Sequence, residues 1–104
     1  MKIKEKVELV SSLIRTRDYA FEDKNDKVLF NLLLDHYLLY ADQSHLTHPE
    51  DIKSNKKELK AMYTIMCCLL VQEDIRRLKL LHKLVKKNGY KGVDMFVEVY
   101  RVQV

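Results

Sequence analysis

The fold is decided by residues 56–88, KKELKAMYTIMCCLLVQEDIRRLKLLHKLVKKN. This stretch contains no glycine or proline, and the Asn88-Gly89 pair at its end is a strong helix stop. Apolar residues recur every three or four positions in its second half, which is the spacing of an amphipathic helix. These residues are Ile75, Leu78, Leu81 and Val85. We therefore predict one main helix over residues 56–88.

The segment before the main helix carries two further helix start signals. Pro49 suits the first position of a helix, and two acidic residues follow it in the first turn. A second start, similar to a capping box, begins at Asn55. A single helix over residues 49–88 would be about 60 Å long, roughly twice the width of a small domain. We therefore expect a break near Ser54-Asn55 that separates a short helix from the main one.

Two more helices are predicted upstream, over residues 2–17 and 27–42. The first has its apolar residues on one face and a charged, balanced opposite face. The second leaves only a thin polar stripe between its apolar residues. A helix that is apolar over most of its circumference is either buried on several sides or lies in an oligomer interface. The sequence leaves both possibilities open.

The tail, residues 93–104, is ambiguous. Five valines in twelve residues, partly alternating with polar residues, are typical of a strand, although the same segment also fits a helix face. A lone strand has unpaired backbone groups, and no second strand is evident. We therefore expect a short C-terminal extended segment that pairs with its copy in another subunit or with a partner. A homodimer, formed through the helix over 27–42 or through the tail, follows from this expectation.

The composition bounds the fold class. A chain of 104 residues that is 47% hydrophobic suffices for one domain, residues 1–104, with a real core. Two glycines and one proline favour long helices over strands and turns. We predict a mainly all-α fold, a compact three- to four-helix bundle. No apolar run approaches the roughly 20 residues of a membrane span, and no signal segment is evident, so we expect a cytoplasmic protein.

The two cysteines, Cys67 and Cys68, are adjacent in the sequence. On a helix their side chains diverge by about 100°, so they cannot form a disulfide without breaking the helix. We interpret them as small core residues in a reducing compartment. A redox pair usually has two spacer residues and lies at a helix N-terminus, which this pair does not match.

The charge of the chain is concentrated in one region. Residues 53–92 hold eleven basic and three acidic residues, a net charge of +8, whereas the whole chain has +4. Five of these basic residues fall within an arc of roughly 100° on the main helix. We call them the basic stripe: Arg76, Lys79, Lys83, Lys86 and Lys87. A one-sided basic surface attracts acidic partners.

Three interpretations of the basic stripe are open: a solvated helix face, a surface for an acidic protein, and a phosphate-binding surface. Only Tyr90 is interleaved with the basic residues, so a base-stacking platform is not evident. A helix-turn-helix signature is also missing from the sequence. We therefore expect a protein partner rather than a nucleic acid, and any nucleic-acid binding would have weak sequence specificity.

Histidines and carboxylates occur together between the second and third predicted helices, at Asp42, His45, His48, Glu50 and Asp51. These residue types can ligate metals, but their spacing is not that of a known closed zinc site. We predict exposed loop residues and no metal. Within the second helix, His36 lies among the apolar residues Leu32, Leu33, Leu39 and Tyr40, and we interpret it as a hydrogen-bonded core residue.

The segment Arg77-Leu78-Lys79-Leu80-Leu81-His82 has an arginine and a histidine separated by four residues. In an all-helical chain of this size, the pair resembles the active-site motif of the HEPN ribonucleases. The resemblance covers six residues and implies that Arg77 and His82 act on the RNA phosphate and 2′-hydroxyl across a dimer. It departs from the family at Leu78, because a polar residue usually follows the arginine. His82 also projects on the apolar side of the helix, as a core residue would.

No glycine-rich phosphate loop or nucleophile elbow is present in the sequence. We therefore predict a non-enzymatic protein without cofactor: a small regulatory, adaptor or inhibitor module that binds a macromolecule through the basic stripe. Such short, lysine- and leucine-rich accessory proteins are of the kind that phages and mobile elements encode, which is a hypothesis about origin. The alternatives are a nucleic-acid-binding protein and a helical ribonuclease.

Overall fold

The computed structural model describes residues 2–15 and 24–101. These residues form five α-helices and contain no strand, which confirms the all-α class. The helices are α1 (Ile3–Ile14), α2 (Lys24–Ala41), α3 (Pro49–Cys68), α4 (Gln72–Asn88) and α5 (Tyr90–Arg101). The predicted number of helices, three to four, is slightly low, because the described part of the tail forms a fifth helix and the chain between residues 49 and 88 breaks at a different position. The end of the predicted first helix, at 16–17, and the last tail residues, 102–104, lie outside the described residues.

The helices pack around one hydrophobic core. α1 lies against α2, α4 and α5, while α3 packs on α2 and, less extensively, on α4. The largest fully buried side chains come from every helix, and include Tyr37, Phe30, Phe96, Ile14 and Leu59. The radius of gyration, 13.3 Å, is that of a compact chain of about 100 residues.

The helix break lies at residues 69–71, and the expected break near Ser54-Asn55 is wrong. Both of those residues are helical, and the Asn55 side-chain amide donates a hydrogen bond to the Tyr40 backbone carbonyl at 2.9 Å, tying α3 to the end of α2. The chain turns where Leu70 is buried in the core. Two acidic residues then occupy the first turn of α4, where they suit the helix dipole. Folding back at Leu70 lets α3 and α4 share one core, which a straight helix could not do.

The described part of the tail, residues 93–101, is helical and belongs to α5, so the extended segment predicted there is wrong. Val93, Phe96 and Val97 are buried at helical spacing, and this packing overrides the strand preference of the valines. Gly89 makes the turn possible with a φ of 64°. At Gly92 an added Cβ would lie 2.3 Å from the Leu84 carbonyl oxygen, so α5 crosses α4 with its backbone in close approach. Because residues 93–101 are helical, the expected strand pairing between two copies of this segment is wrong.

Helix α2 is buried along one side only. Phe30, Leu34, Tyr37 and Leu38 lie in the core, so burial on several sides is wrong for this helix. Its outer face exposes large apolar side chains instead. We call Val28, Leu29, Leu32, Leu39 and Tyr40 the outer α2 face.

The cysteines are both free thiols, as expected. Cys67 is half-buried and packs against the core, whereas Cys68 is exposed, so the core interpretation is wrong for Cys68. Burial raises the pKa of the Cys67 thiol. None of the helices in the described part of the chain has the length and apolar character that a membrane span requires.

Candidate functional site: a basic cleft between α3 and α4

All five residues of the basic stripe are exposed on α4. Four of them line one side of a cleft between α3 and α4, with a volume of about 580 Å³. Arg76 does not line it. We call this the basic cleft; its lining residues are Lys60, Tyr63, Thr64, Lys79, His82, Lys83, Lys86 and Lys87. None of these is acidic.

The opposite side of the basic cleft is formed by α3. Lys60, Tyr63 and Thr64 are spaced three and four residues apart, so they share one face of that helix. None of the three belongs to the basic stripe, because the charge pattern that defines the stripe lies on one helix only. Their common face could be read from the sequence. Its position opposite the basic stripe depends on the turn at residues 69–71.

The floor of the basic cleft is an aromatic stack. His82 is only 8% exposed, and its ring lies parallel to the Tyr63 ring with 4.2 Å between centroids. The prediction that His82 is a core residue is therefore confirmed. Its Nδ1 lies 2.8 Å from the hydroxyl of the fully buried Tyr37. Burial raises the pKa of Tyr37, so the phenol stays protonated, and its hydroxyl is hydrogen-bonded to Nδ1.

The floor of the cleft is electrically neutral, whereas its rim is positively charged. Burial, and after it the charges of Lys86 and Lys60, lower the pKa of His82 to about 4. His82 is therefore uncharged at neutral pH, while five lysines surround it. That two lysines from different helices act on the same imidazole indicates that their positive fields overlap inside the cleft. Such a field attracts anions.

The cationic surface continues past the end of α4. Lys86 and Lys87 also line a neighbouring hollow, together with Lys56 and Lys91. One acid, Asp42, lies in that hollow. Hydrogen bonds from the Ser44 hydroxyl and backbone N–H, at 2.7 and 3.1 Å, lower the pKa of the Asp42 carboxyl. The lysines thus form a tract that runs from the middle of α4 to the start of α5.

Arg77 and His82 do not meet within one chain. The Arg77 guanidinium donates a hydrogen bond to the Leu13 carbonyl at 2.8 Å and lies over the Tyr100 ring, 4.4 Å from its centroid. His82 instead faces Tyr37 and Tyr63, and Arg77 is not part of the cleft that His82 lines. Both side chains therefore make packing contacts on different sides of α4.

The other singled-out residues do not assemble into a site. In the described ranges, 2–15 and 24–101, no three His, Cys, Asp or Glu side chains are grouped to hold a metal ion. His45, His48, Glu50 and Asp51 are exposed, in keeping with loop and helix-start residues. His36 is exposed on α2, so its interpretation as a core residue is wrong.

Comparison with known proteins gave no match among protein families, among curated proteins or among solved structures.

Proposed function

We propose that this protein is a non-enzymatic regulatory or adaptor module that binds an acidic surface of a partner protein through the basic cleft and the basic stripe. One observation carries the proposal: lysines from two helices converge on one cleft whose described lining has no acidic residue. A solvated face of a single helix would not place its lysines beside a lysine of a second helix. The basic cleft does so, with Lys60 of α3 opposite the lysines of α4.

The energetics favour a combined surface over individual ion pairs. A single exposed ion pair contributes only about 0.2–1 kcal/mol. Five converging lysines act chiefly on the association rate and on the orientation of an acidic partner. The aliphatic lysine stems and the Tyr63 ring add apolar area beneath the charges, and burial of that area supplies the affinity that surface charges lack.

The test compares two charge reversals of equal size. Lys83→Glu/Lys87→Glu changes the cleft, whereas Lys2→Glu/Lys4→Glu changes exposed lysines near the start of α1. We expect the cleft variant to lose binding to an acidic polypeptide, the α1 variant to retain it, and both to melt close to the wild type. Equal retention in both variants would contradict the proposal, and a collapse of folding in the cleft variant would make the lysines structural.

A nucleic-acid-binding function is the second candidate, supported by the length of the lysine tract. Lys79, Lys83 and Lys87 lie on successive turns of α4, and Lys91 extends the row onto α5. Such a row could follow a phosphate backbone without reading sequence. Binding to labelled single- and double-stranded DNA and RNA across a salt series tests it. Affinity that falls steeply with salt and disappears in Lys83→Glu/Lys87→Glu would favour this function over a protein partner.

The ribonuclease hypothesis has a direct test of its own. It requires His82 to act on RNA, so His82→Ala should abolish any RNA cleavage by the purified protein. Cleavage that is unchanged in the variant, or absent from the wild type, contradicts it. The position of Arg77 against Leu13 and Tyr100 gives this hypothesis the least support of the three.

A further inference from the structure

We infer that the segment bound in the basic cleft carries one large apolar or aromatic anchor side chain with acidic residues on both sides of it. This inference rests on the proposed function and specifies the partner's chemistry. It follows from the difference between the floor and the rim of the cleft.

The floor of the cleft selects an uncharged group. It consists of the stacked rings of Tyr63 and the neutral His82, and the exposed Thr64 side chain lines the cleft on α3. His82 stays neutral because it is buried beneath the lysines. Its Nδ1 is already hydrogen-bonded to the Tyr37 hydroxyl, and a neutral imidazole has no charge to pair with that of an ionised ligand. An apolar side chain inserted here loses its own hydration and meets the ring and the lysine stems, which is favourable.

The rim of the cleft selects negative charge on either side of that anchor. Lys79, Lys83 and Lys86 or Lys87 occupy successive turns of α4, about 5–6 Å apart along its axis. Lys60 stands across the cleft on α3. Acidic residues a few positions before and after an anchor, on a helix or on an extended chain, have comparable separations. The volume, about 580 Å³, is within the range of roughly 300–1,000 Å³ typical of ligand sites.

A nucleic acid fits this site less well than an acidic peptide. Sequence-independent strand binding stacks successive bases on successive aromatic side chains. The basic cleft has one aromatic stack, in which one ring is the largely buried His82. A single apolar anchor between carboxylates uses the same floor and the same lysines without requiring further stacking positions.

The experiment uses two synthetic peptides of equal acidic content, one with a central Phe and one with Ala in its place. Their dissociation constants are measured with the full-length protein by fluorescence anisotropy at two salt concentrations. We expect the Phe peptide to bind at least about tenfold more tightly, since burial of an aromatic side chain contributes that much. Equal affinities would overturn the anchor inference and leave the proposed function in place. Binding of neither peptide would overturn both.

A variant that fills the cleft distinguishes the contribution of the anchor to binding from that of the charges. Thr64 is exposed, lines the cleft, and its hydroxyl donates a 2.9 Å hydrogen bond to the Lys60 carbonyl in its own helix. Thr64→Trp adds a ring to the cleft and leaves every lysine in place. We expect the Phe peptide to fall to the affinity of the Ala peptide, which itself stays unchanged. Ser54→Trp, on an exposed position of α3 outside the cleft, is the matched control. Undiminished preference for Phe in Thr64→Trp would overturn the inference.

Discussion

Tyr37 and His82 form a buried hydrogen bond, with the phenol oxygen 2.8 Å from the imidazole Nδ1, and this bond connects α2 to the floor of the basic cleft on α4. The phenol can donate to a neutral imidazole or accept from a protonated one, so the bond alone does not fix the charge of His82. Burial and the charges of Lys86 and Lys60 hold the pKa of His82 at about 4. The protonation state of one side chain therefore links the stability of the fold to the charge of the cleft.

Acidification should destabilise the protein through His82. In the unfolded chain the imidazole has its ordinary pKa of 6.5, so between pH 6.5 and 4 the unfolded state binds a proton that the folded state does not. This stabilising contribution is present above pH 6.5 and is lost as the pH falls towards 4. We expect about 1 kcal/mol of unfolding free energy to disappear between pH 7 and 5.5, measured by urea denaturation.

The control for this pH effect is His82→Gln, which cannot titrate. The variant should be less stable than the wild type at pH 7, because it loses the stack on Tyr63. Its unfolding free energy should change less than that of the wild type between pH 7 and 5.5. The same slope in both proteins would show that His82 is not the titrating group.

Gly92→Ala should disrupt the crossing of α4 and α5. A Cβ at this position would lie 2.3 Å from the Leu84 carbonyl oxygen and 2.7 Å from the Val85 nitrogen, which are backbone atoms that cannot rotate away. Separating the two helices would also loosen Phe96 and Val97 in the core. We expect a loss of about 2–3 kcal/mol or more, measured by thermal and urea unfolding. Lys91→Ala, on the exposed neighbour, should have little effect; a Gly92→Ala variant as stable as the wild type would contradict this close approach.

The outer α2 face predicts self-association. Val28 is 67% exposed, Leu32 54% and Leu39 51%, and these residues lie along one side of the helix at spacings of four and seven. The homodimer prediction now depends on this face, since α5 packs its apolar side into the core. We expect the purified protein to be a dimer and Leu32→Glu to be a monomer with unchanged helicity, by light scattering after gel filtration. Val99→Glu, an exposed apolar residue on α5, is the matched control. A monomeric wild type would refute the homodimer.

The sequence predicts the helices better than it predicts their arrangement. Helical periodicity and the Asn88-Gly89 stop located the end of α4 correctly, because these signals are local. The turn at Leu70 has no glycine or proline, and the burial of that side chain in the core favours it. The strand prediction for residues 93–101 is wrong for the same reason. The preference of valine for strands stabilises less than the burial of Phe96 and Val97 does.

The sequence predicts only the part of the candidate site that lies on one helix. The lysines of the basic stripe share one helix face, so spacing alone was enough to group them. Lys60 and Tyr63 joined the site only through the packing of α3 against α4, and no pattern within a single helix contains that information. His82 was recognised as a core residue from its helix face, but its partner Tyr37 is 45 positions away in the chain.

The convergence of Lys60 with the basic stripe can be tested in the free protein, without any ligand. Because the charge of Lys60 helps to lower the pKa of His82, Lys60→Gln should raise that pKa, measured by NMR titration of the imidazole resonances. Lys57→Gln removes an equal charge from an exposed site on α3 outside the cleft and should leave the His82 pKa as it is. If α3 did not pack beside α4 as described, both substitutions would leave the titration unchanged. An upward shift in Lys60→Gln alone would establish that the two helices share one electrostatic site, which is the condition on which the binding proposal depends.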